Sequence, residues 1–376
     1  MNQFYSVLAI ALTLSFLFIN AGVANAATYY LSPTGSDSNP GTLSAPFATL
    51  MKAHNLANPG DLIYLRGGTY LIKDGIRFTR SGSSGALIKM LPYPNEKPVL
   101  DASGITTLDT WVIRLTGTAS WWHIKGLEIK NNPQGGGFYL GNTSVNNNII
   151  ENNNIHHNGF KSEWAASGIS VYGTPSNNLI LNNDVHHNRD IDAGDADGIS
   201  AGNLGLGNVY RGNRSWNNSD DGFDFFCVED NKTCASVLLE NNWAFDNGYD
   251  EYKNPVGNGN GFKLGGIRKL TTGKSGGHTL RNNLAWSNLE NGFDDNLSSS
   301  TEAQSMPDKL YNNTSWNNKE NFVFSQSIHT LVNNISFGTL GYLKTSFSNN
   351  SWSLPVTVTS SDFASLDDSC ARGPRK

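Results

Sequence analysis

The chain has 376 residues, a formal net charge of −5 and 16% charged residues, a balance that excludes a globally basic nucleic-acid binder. Beyond the first 26 residues no run is long and apolar enough for a membrane helix. Thirty-nine glycines, abundant asparagine and few helix formers favour many short strands joined by turns.

Residues 1–26 read as a signal peptide. The apolar run 7–19 is too short to span a bilayer, and Ala24-Asn25-Ala26 has the small-residue form of a cleavage site. The expectation is a secreted, extracellular protein, with 27–376 as one domain. Segment 27–100 is a non-repeating start. Tyr29-Tyr30-Leu31 reads as a strand and 32–46 as a loop. Residues 47–56 place Phe47, Leu50, Met51 and His54 on one helical face, with Pro59-Gly60 as the stop. Asp61 to Leu65 and Tyr70 to Ile72 read as strands either side of Gly67-Gly68. A short helix here would cover the open end of a solenoid.

From 121 to 352 the chain repeats. Asparagine pairs recur, and taking Asn153, Asn183, Asn213, Asn242, Asn283, Asn313, Asn334 and Asn350 as equivalent gives steps of 30, 30, 29, 41, 30, 21 and 16 residues. That is too irregular for propeller blades and suits a parallel β-helix, whose insertions leave through loops. The fold class expected is all-β, a parallel β-helix solenoid with an asparagine ladder and a short N-terminal capping helix. Asparagine tolerates the left-handed backbone of a corner, and stacked amides satisfy one another from coil to coil. The sequons at Asn213, Asn312 and Asn334 are read as part of this ladder, and the pairs His156-His157 and His186-His187 as stacked structural residues on matching rungs. The repeat leaves the hand of the coil open. Of three cysteines, Cys227 and Cys234 bracket a short loop that a disulfide could close or that could keep free thiols. Cys370 is left over.

A second motif carries the chemistry: Ser167-Gly168-Ile169-Ser170, Asp197-Gly198-Ile199-Ser200, Asp221-Gly222-Phe223-Asp224, Asn260-Gly261-Phe262-Lys263 and Asn291-Gly292-Phe293-Asp294. If each copy is one rung, the residue after glycine points into the core and the next points to solvent. The outward column is then Ser170, Ser200, Asp224, Lys263, Asp294, with rungs about 4.8 Å apart. The column before glycine is Ser167, Asp197, Asp221, Asn260, Asn291. Asp197, Asp220, Asp221 and Asp224 converge on one patch, where mutual repulsion favours a bound cation. An all-oxygen set points to Ca²⁺ over Mg²⁺ or Zn²⁺; solvated Asp-Gly turns are the plainer alternative. Lys263 is either a salt-bridge partner of Asp224 or, beside a cation that disfavours its ammonium, a base. Arg268, Lys269 and Lys274 follow the Lys263 strand and could hold substrate carboxylates or be solvated surface.

Ala196-Asp197-Gly198, Asp220-Asp221-Gly222-Phe223-Asp224 and Gly259-Asn260-Gly261-Phe262-Lys263-Leu264-Gly265-Gly266, in that order among the Asn-Asn rungs, resemble the family 9 polysaccharide lyases, its pectate lyases in particular. Tyr29-Tyr30-Leu31-Ser32-Pro33-Thr34-Gly35-Ser36-Asp37 and Gly67-Gly68-Thr69-Tyr70 resemble the family's start. The resemblance implies a right-handed parallel β-helix, Ca²⁺ held by four aspartates matching Asp197, Asp220, Asp221 and Asp224, and a lysine base matching Lys263. Asp195 rivals Asp197 as the first ligand, but the column favours Asp197. The family continues past Asp367-Asp368 toward a last coil, so the tail 353–376 is expected to be cut short. The implied activity is calcium-dependent β-elimination on an acidic plant polysaccharide, pectate or polygalacturonate, by a monomer with no nucleic-acid or membrane partner. Rivals are another uronate or rhamnogalacturonan lyase, a hydrolase using paired carboxylates on the same fold, and a non-catalytic adhesive solenoid.

Overall fold

Three-residue strands set the pattern. Ile149–Glu151 is followed, after two asparagines, by Asn154–His156, and the chain then crosses to Ile169–Gly173 before repeating as Leu179–Leu181. Each strand pairs in parallel with its counterpart one coil on: Ile149 with Leu179, Asn154 with Asp184, Ile169 with Ile199. The computed structural model describes residues 26–141, 144–162, 166–203, 205–227, 232–266, 273–297 and 305–363. The predicted signal peptide, apart from Ala26, together with Arg268, Lys269, Cys370 and the tail beyond 363, lies outside them.

Repetition of this coil makes three parallel sheets. The first runs from Thr28–Leu31 to Leu343–Ser348, the second from Gly68–Leu71 to Ile335–Phe337, and the third from Ile76–Phe78 to Asn291–Asp294. Near the C-terminal end the 13-residue strand Glu320–Val332 runs out of the third sheet into the first, pairing with Asn291–Asp294 and then Lys309–Tyr311. Alternation buries one residue of each short strand. Ile150, Ile155, Ile180 and Val185 are fully enclosed, and Phe223, Phe262, Phe293 and Phe322 stack with ring centroids 4.6, 4.8 and 5.0 Å apart. Each such ring contributes roughly 1.5–3 kcal/mol by leaving water.

The corners depend on asparagine pairs that divide two tasks. The first member takes the left-handed conformation, with φ of 56° at Asn152, 54° at Asn182 and 57° at Asn241. The second is buried and forms the ladder. Asn213 Oδ1 accepts from the backbone N–H of Asn183 at 2.9 Å and from its Nδ2 at 3.0 Å, while Asn213 Nδ2 donates to Ile180 O and Asn242 Oδ1. The chain of such bonds runs unbroken from Asn153 to Asn350. A second ladder, five residues further along each coil, joins Asn158, Asn188, Asn218, Asn247, Asn288 and Asn318. His157 and His187 hold the left-handed position just before it, with φ of 56° and 54°, which explains their regular recurrence.

Replacing Asn213 by alanine strands the Asn183 amide and the Ile180 carbonyl, both buried. At about 1–3 kcal/mol for each orphaned group, urea denaturation should show a loss of roughly 2–6 kcal/mol. A loss below the lower figure would mean that water replaces the amide and that the ladder is not a main source of stability.

The capping helix is Leu50–Leu56, shorter than the 47–56 expected. Asp37 Oδ1 accepts from the N–H groups of Ala48 and Thr49, at 3.0 and 2.9 Å, and Thr49 then serves as N-cap, its hydroxyl accepting from Lys52 N–H. Phe47 therefore stays extended and bridges Leu31 instead of joining the helical face. Leu50, Ala53 and His54 are the buried face; His54 stacks on Phe78 at 5.0 Å. The strand expected at Tyr70 to Ile72 is Gly68–Leu71.

Candidate functional site

On the third sheet Ser170 pairs with Ser200, Ser200 with Asp224, Asp224 with Lys263, and Lys263 with Asp294. Ile169, Ile199, Phe223, Phe262 and Phe293 fill the core side, all fully buried. The expected register therefore holds. The outward column is not open to solvent as expected: Ser170 and Ser200 are buried and only 14% of the Asp224 and Lys263 side chains is exposed. Small hydroxyls pack against one another there, Ser200 Oγ donating to Ser170 Oγ and Ser167 Oγ. The ring of Tyr172 lies across Gly202, where a β-carbon would come within 2.6 Å of it.

The turn column builds the acidic part by the same geometry as the asparagine ladders. Asp197 Oδ1 accepts from Asp221 N–H, Asp221 Oδ1 from Asn260 N–H and Nδ2 at 2.6 and 2.9 Å, and Asn260 Oδ1 from Asn291 N–H. One oxygen of each aspartate is thereby committed to the backbone; Asp197 Oδ2 accepts from Ser167 Oγ at 3.4 Å, and Asp221 Oδ2 is left over. Carboxylate oxygens of Asp197, Asp221 and Asp224 lie within 4.8 Å of one another. Asp220 stands just outside that triangle, its Oδ1 accepting from Asn258 N–H at 3.1 Å. Asp195, the rival ligand, is exposed, and its N–H is held by Asp190.

Lys263 Nζ sits 2.9 Å from Asp221 Oδ2 and 3.1 Å from Asp224 Oδ2, with the Phe226 ring 5.8 Å away. The contact with Asp224 is a hydrogen bond; the one with Asp221 is close but misaligned, so Asp221 Oδ2 is fully buried with no donor aimed at it. Burial, then the charges of Asp224, Asp220 and Asp221, push the Asp197 carboxyl well above the usual range. Burial and Asp221 push Asp220 up to about 9. For Asp224, burial outweighs the attraction of Lys263 and raises it to about 6. Burial alone would lower the Lys263 ammonium, but Asp221, Asp224, Asp220 and Asp197 together hold it well above the ordinary lysine value. One ammonium cannot neutralise this many buried carboxylates. A second cation fits the donor set, and an all-oxygen set with an unclaimed buried oxygen suits a hard ion such as Ca²⁺.

Of the other residues singled out, Lys274 is exposed, and no ion pair joins it to the cluster among the described residues; its carbonyl accepts from Cys234 N–H. Cys227 and Cys234 are disulfide-bonded, tethering the segment that follows the Asp224 strand. His156, His157 and His186 also form a potential ligand group. Their rings are stacked, His156 on His186 at 4.8 Å and His157 on His187 at 5.0 Å, and Nδ1 of His156 pairs with Nδ1 of His157 at 2.7 Å. They belong to the structural column. Tyr172, Phe226 and Asn260 went unassigned in the sequence. Only Asn260 carried a signal, as the first amide after two acids in the turn column.

A family model described as Pel9A-like, right-handed β-helix region, matches residues 29–338. Pectate lyase L of Dickeya chrysanthemi is 32% identical over 94% of this chain and 81% of its own length. Pectate lyase PEL9 of Emericella nidulans is 32% identical over 93% of this chain and 89% of its own. The crystal structure of pectate lyase Pel9A superposes with a TM-score of 0.77 at 31% identity, covering 94% of this chain and 86% of that one. A rhamnogalacturonan lyase superposes at 0.80 with 30% identity, covering 93% of both. Coil architecture and neighbours together define a polysaccharide lyase of the β-helix class. The coil is right-handed, and the chain belongs to the Pel9A-like β-helix family.

Proposed function

We propose that the chain is a secreted, calcium-dependent pectate lyase that cleaves polygalacturonate by β-elimination as a monomer. The observation that carries the reading is Lys263 Nζ lying between Asp221 and Asp224, one coil step along from a carboxylate cluster that lacks a sufficient counter-charge. Asp197, Asp221 and Asp224, with Asp220 beside them, would hold the Ca²⁺. Bound there, the ion would supply charge to pair with the substrate's carboxylate and to stabilise the negative charge developing beside it.

The residues of the chain then do the rest. With the carboxylate charge neutralised, burial is the main influence left on Lys263, and it favours the free amine. Lys263 Nζ takes the proton from C5 of the uronate, the electron pair forms the C4–C5 double bond, and the C4–O bond breaks. The leaving oxygen takes a proton from water. The outward column positions the sugar, and the Tyr172 ring, lying against Gly202, limits water access from one side.

The test is purified protein mixed with polygalacturonate, with and without a chelator, followed by the ultraviolet absorbance of the unsaturated uronate. A lyase produces it and loses it on chelation. A hydrolase releases reducing ends without that absorbance, an adhesin binds without turnover, and a faster signal on rhamnogalacturonan would move the substrate to that polymer.

A further inference from the structure

The outward column of the third sheet does not end at the serines. Ser170 pairs with Tyr139, Tyr139 with Arg114, and Arg114 with Arg77, so one continuous file runs from Lys263 and Asp224 to two stacked arginines. Four coil steps separate Asp224 from Arg114, about 19 Å at about 4.8 Å each, and one more reaches Arg77. The Arg114 guanidinium lies over the Tyr139 ring, 4.9 Å from its centroid, and Tyr139 rests on Trp111 at 5.2 Å.

Four other arginines of the coil are held by carboxylates. Arg211 and Arg281 share Glu240, Arg214 is clamped on Asp184, and Arg66 on Glu96. Arg77 and Arg114 stand side by side with no carboxylate partner among the described residues. Arg77 Nε donates to Thr116 Oγ1, and Arg114 Nε is buried with no acceptor. Two neighbouring like charges without an anion are unfavourable, and the missing partner is itself an anion. A guanidinium fork matches a carboxylate in a two-point contact, and the Tyr139 face beneath Arg114 holds that fork in place.

We propose that Arg114 and Arg77, beside Tyr139, form a distal subsite that grips the carboxylates of a uronate chain about five to six sugars from the bond being cleaved at Lys263. An extended 1,4-linked uronate chain advances by roughly one coil spacing per sugar, so a chain laid along the file presents acid groups to both ends of it at once. The inference rests on the uronate-lyase reading and adds to it a preference for long chains.

The experiment compares kcat/KM on a uronate trimer, too short to reach from Lys263 to Arg114, with that on an octamer, for the wild type, Arg114→Gln and Arg77→Gln. The octamer-to-trimer ratio should fall roughly tenfold in Arg114→Gln, the size of one charge-assisted pair. It should also fall in Arg77→Gln, whose exposed side chain supports little of the fold. Arg281→Gln, on the first sheet, should leave the ratio alone. An unchanged ratio in both test variants overturns the subsite even where the lyase activity is present. Should the wild type turn over no uronate at all, the lyase reading fails, and octamer affinity by calorimetry then decides the subsite: a drop of about tenfold in Arg114→Gln supports it, and equal affinities sink it.

Discussion

Replacing Lys263 by methionine should lower turnover of polygalacturonate by roughly 10²–10⁴-fold, the range a positioned base supplies, while leaving KM within a few-fold. Methionine keeps the length of the stem over Phe226 and removes only the amine. The fold should survive, because Lys263 lies on the outward side of its strand and its core neighbour Phe262 is untouched. Metal-free variant protein should be less stable than metal-free wild type, since Asp221 and Asp224 lose their nearest positive charge. Added calcium should close most of that gap. Steady-state kinetics and thermal melts with and without a chelator read these effects separately. Near-normal turnover in the variant would remove Lys263 from the chemistry, whatever the polymer proved to be.

The register that makes this prediction possible was legible in the sequence for a physical reason. A strand has a side-chain period of two, so once Gly-Phe-Asp and Gly-Phe-Lys align as rungs, Asp224 and Lys263 must share a face. The Asn153 to Asn350 series was equally plain, because a buried amide is tolerated only if its hydrogen bonds are satisfied, and a stack of identical amides does that. Other features of the site were not legible. The second ladder repeats at Asn158, Asn188 and Asn218, but its neighbours change from rung to rung, His157 and Gly159, His187 and Arg189, then Asn217 and Ser219, which masks its spacing. Gly75-Ile76-Arg77 matches the Gly-Ile-Ser rungs, yet it lies in the stretch read as non-repeating, so the file of outward residues looked shorter than it is. The covering of the outward column, and with it the place of Tyr172 and Phe226, depends on side chains leaning over glycines of neighbouring coils, which no single rung encodes.

Removing the metal, or the oxygen that awaits it, should separate function from fold. Asp221→Asn is the informative substitution because Asn260 and Asn291 already occupy the same position on the next two rungs. An asparagine there can still accept from Asn260 N–H through Oδ1, so the ladder and the fold should persist. What disappears is the buried Oδ2 with no aligned donor, replaced by an amide that faces Lys263. Calcium affinity measured by calorimetry should fall by about 100-fold or more, on the scale of losses seen when ligand shells are altered, and turnover with it. The same electrostatics fix how the metal-free wild type responds to pH. Asp220 is raised to about 9 and Asp224 to about 6, above the ordinary value of about 3.9 in the unfolded chain. The folded state therefore holds these protons more tightly than the unfolded state does. Stability in chelator should fall as pH rises from about 4 toward 9, and calcium should flatten that slope by occupying the ionised cluster. Melting temperatures across that range, with chelator and with calcium, test the claim. A metal-free protein whose stability is level or rises over the interval would show that these carboxylates are already compensated, and that a cation has no work to do among them.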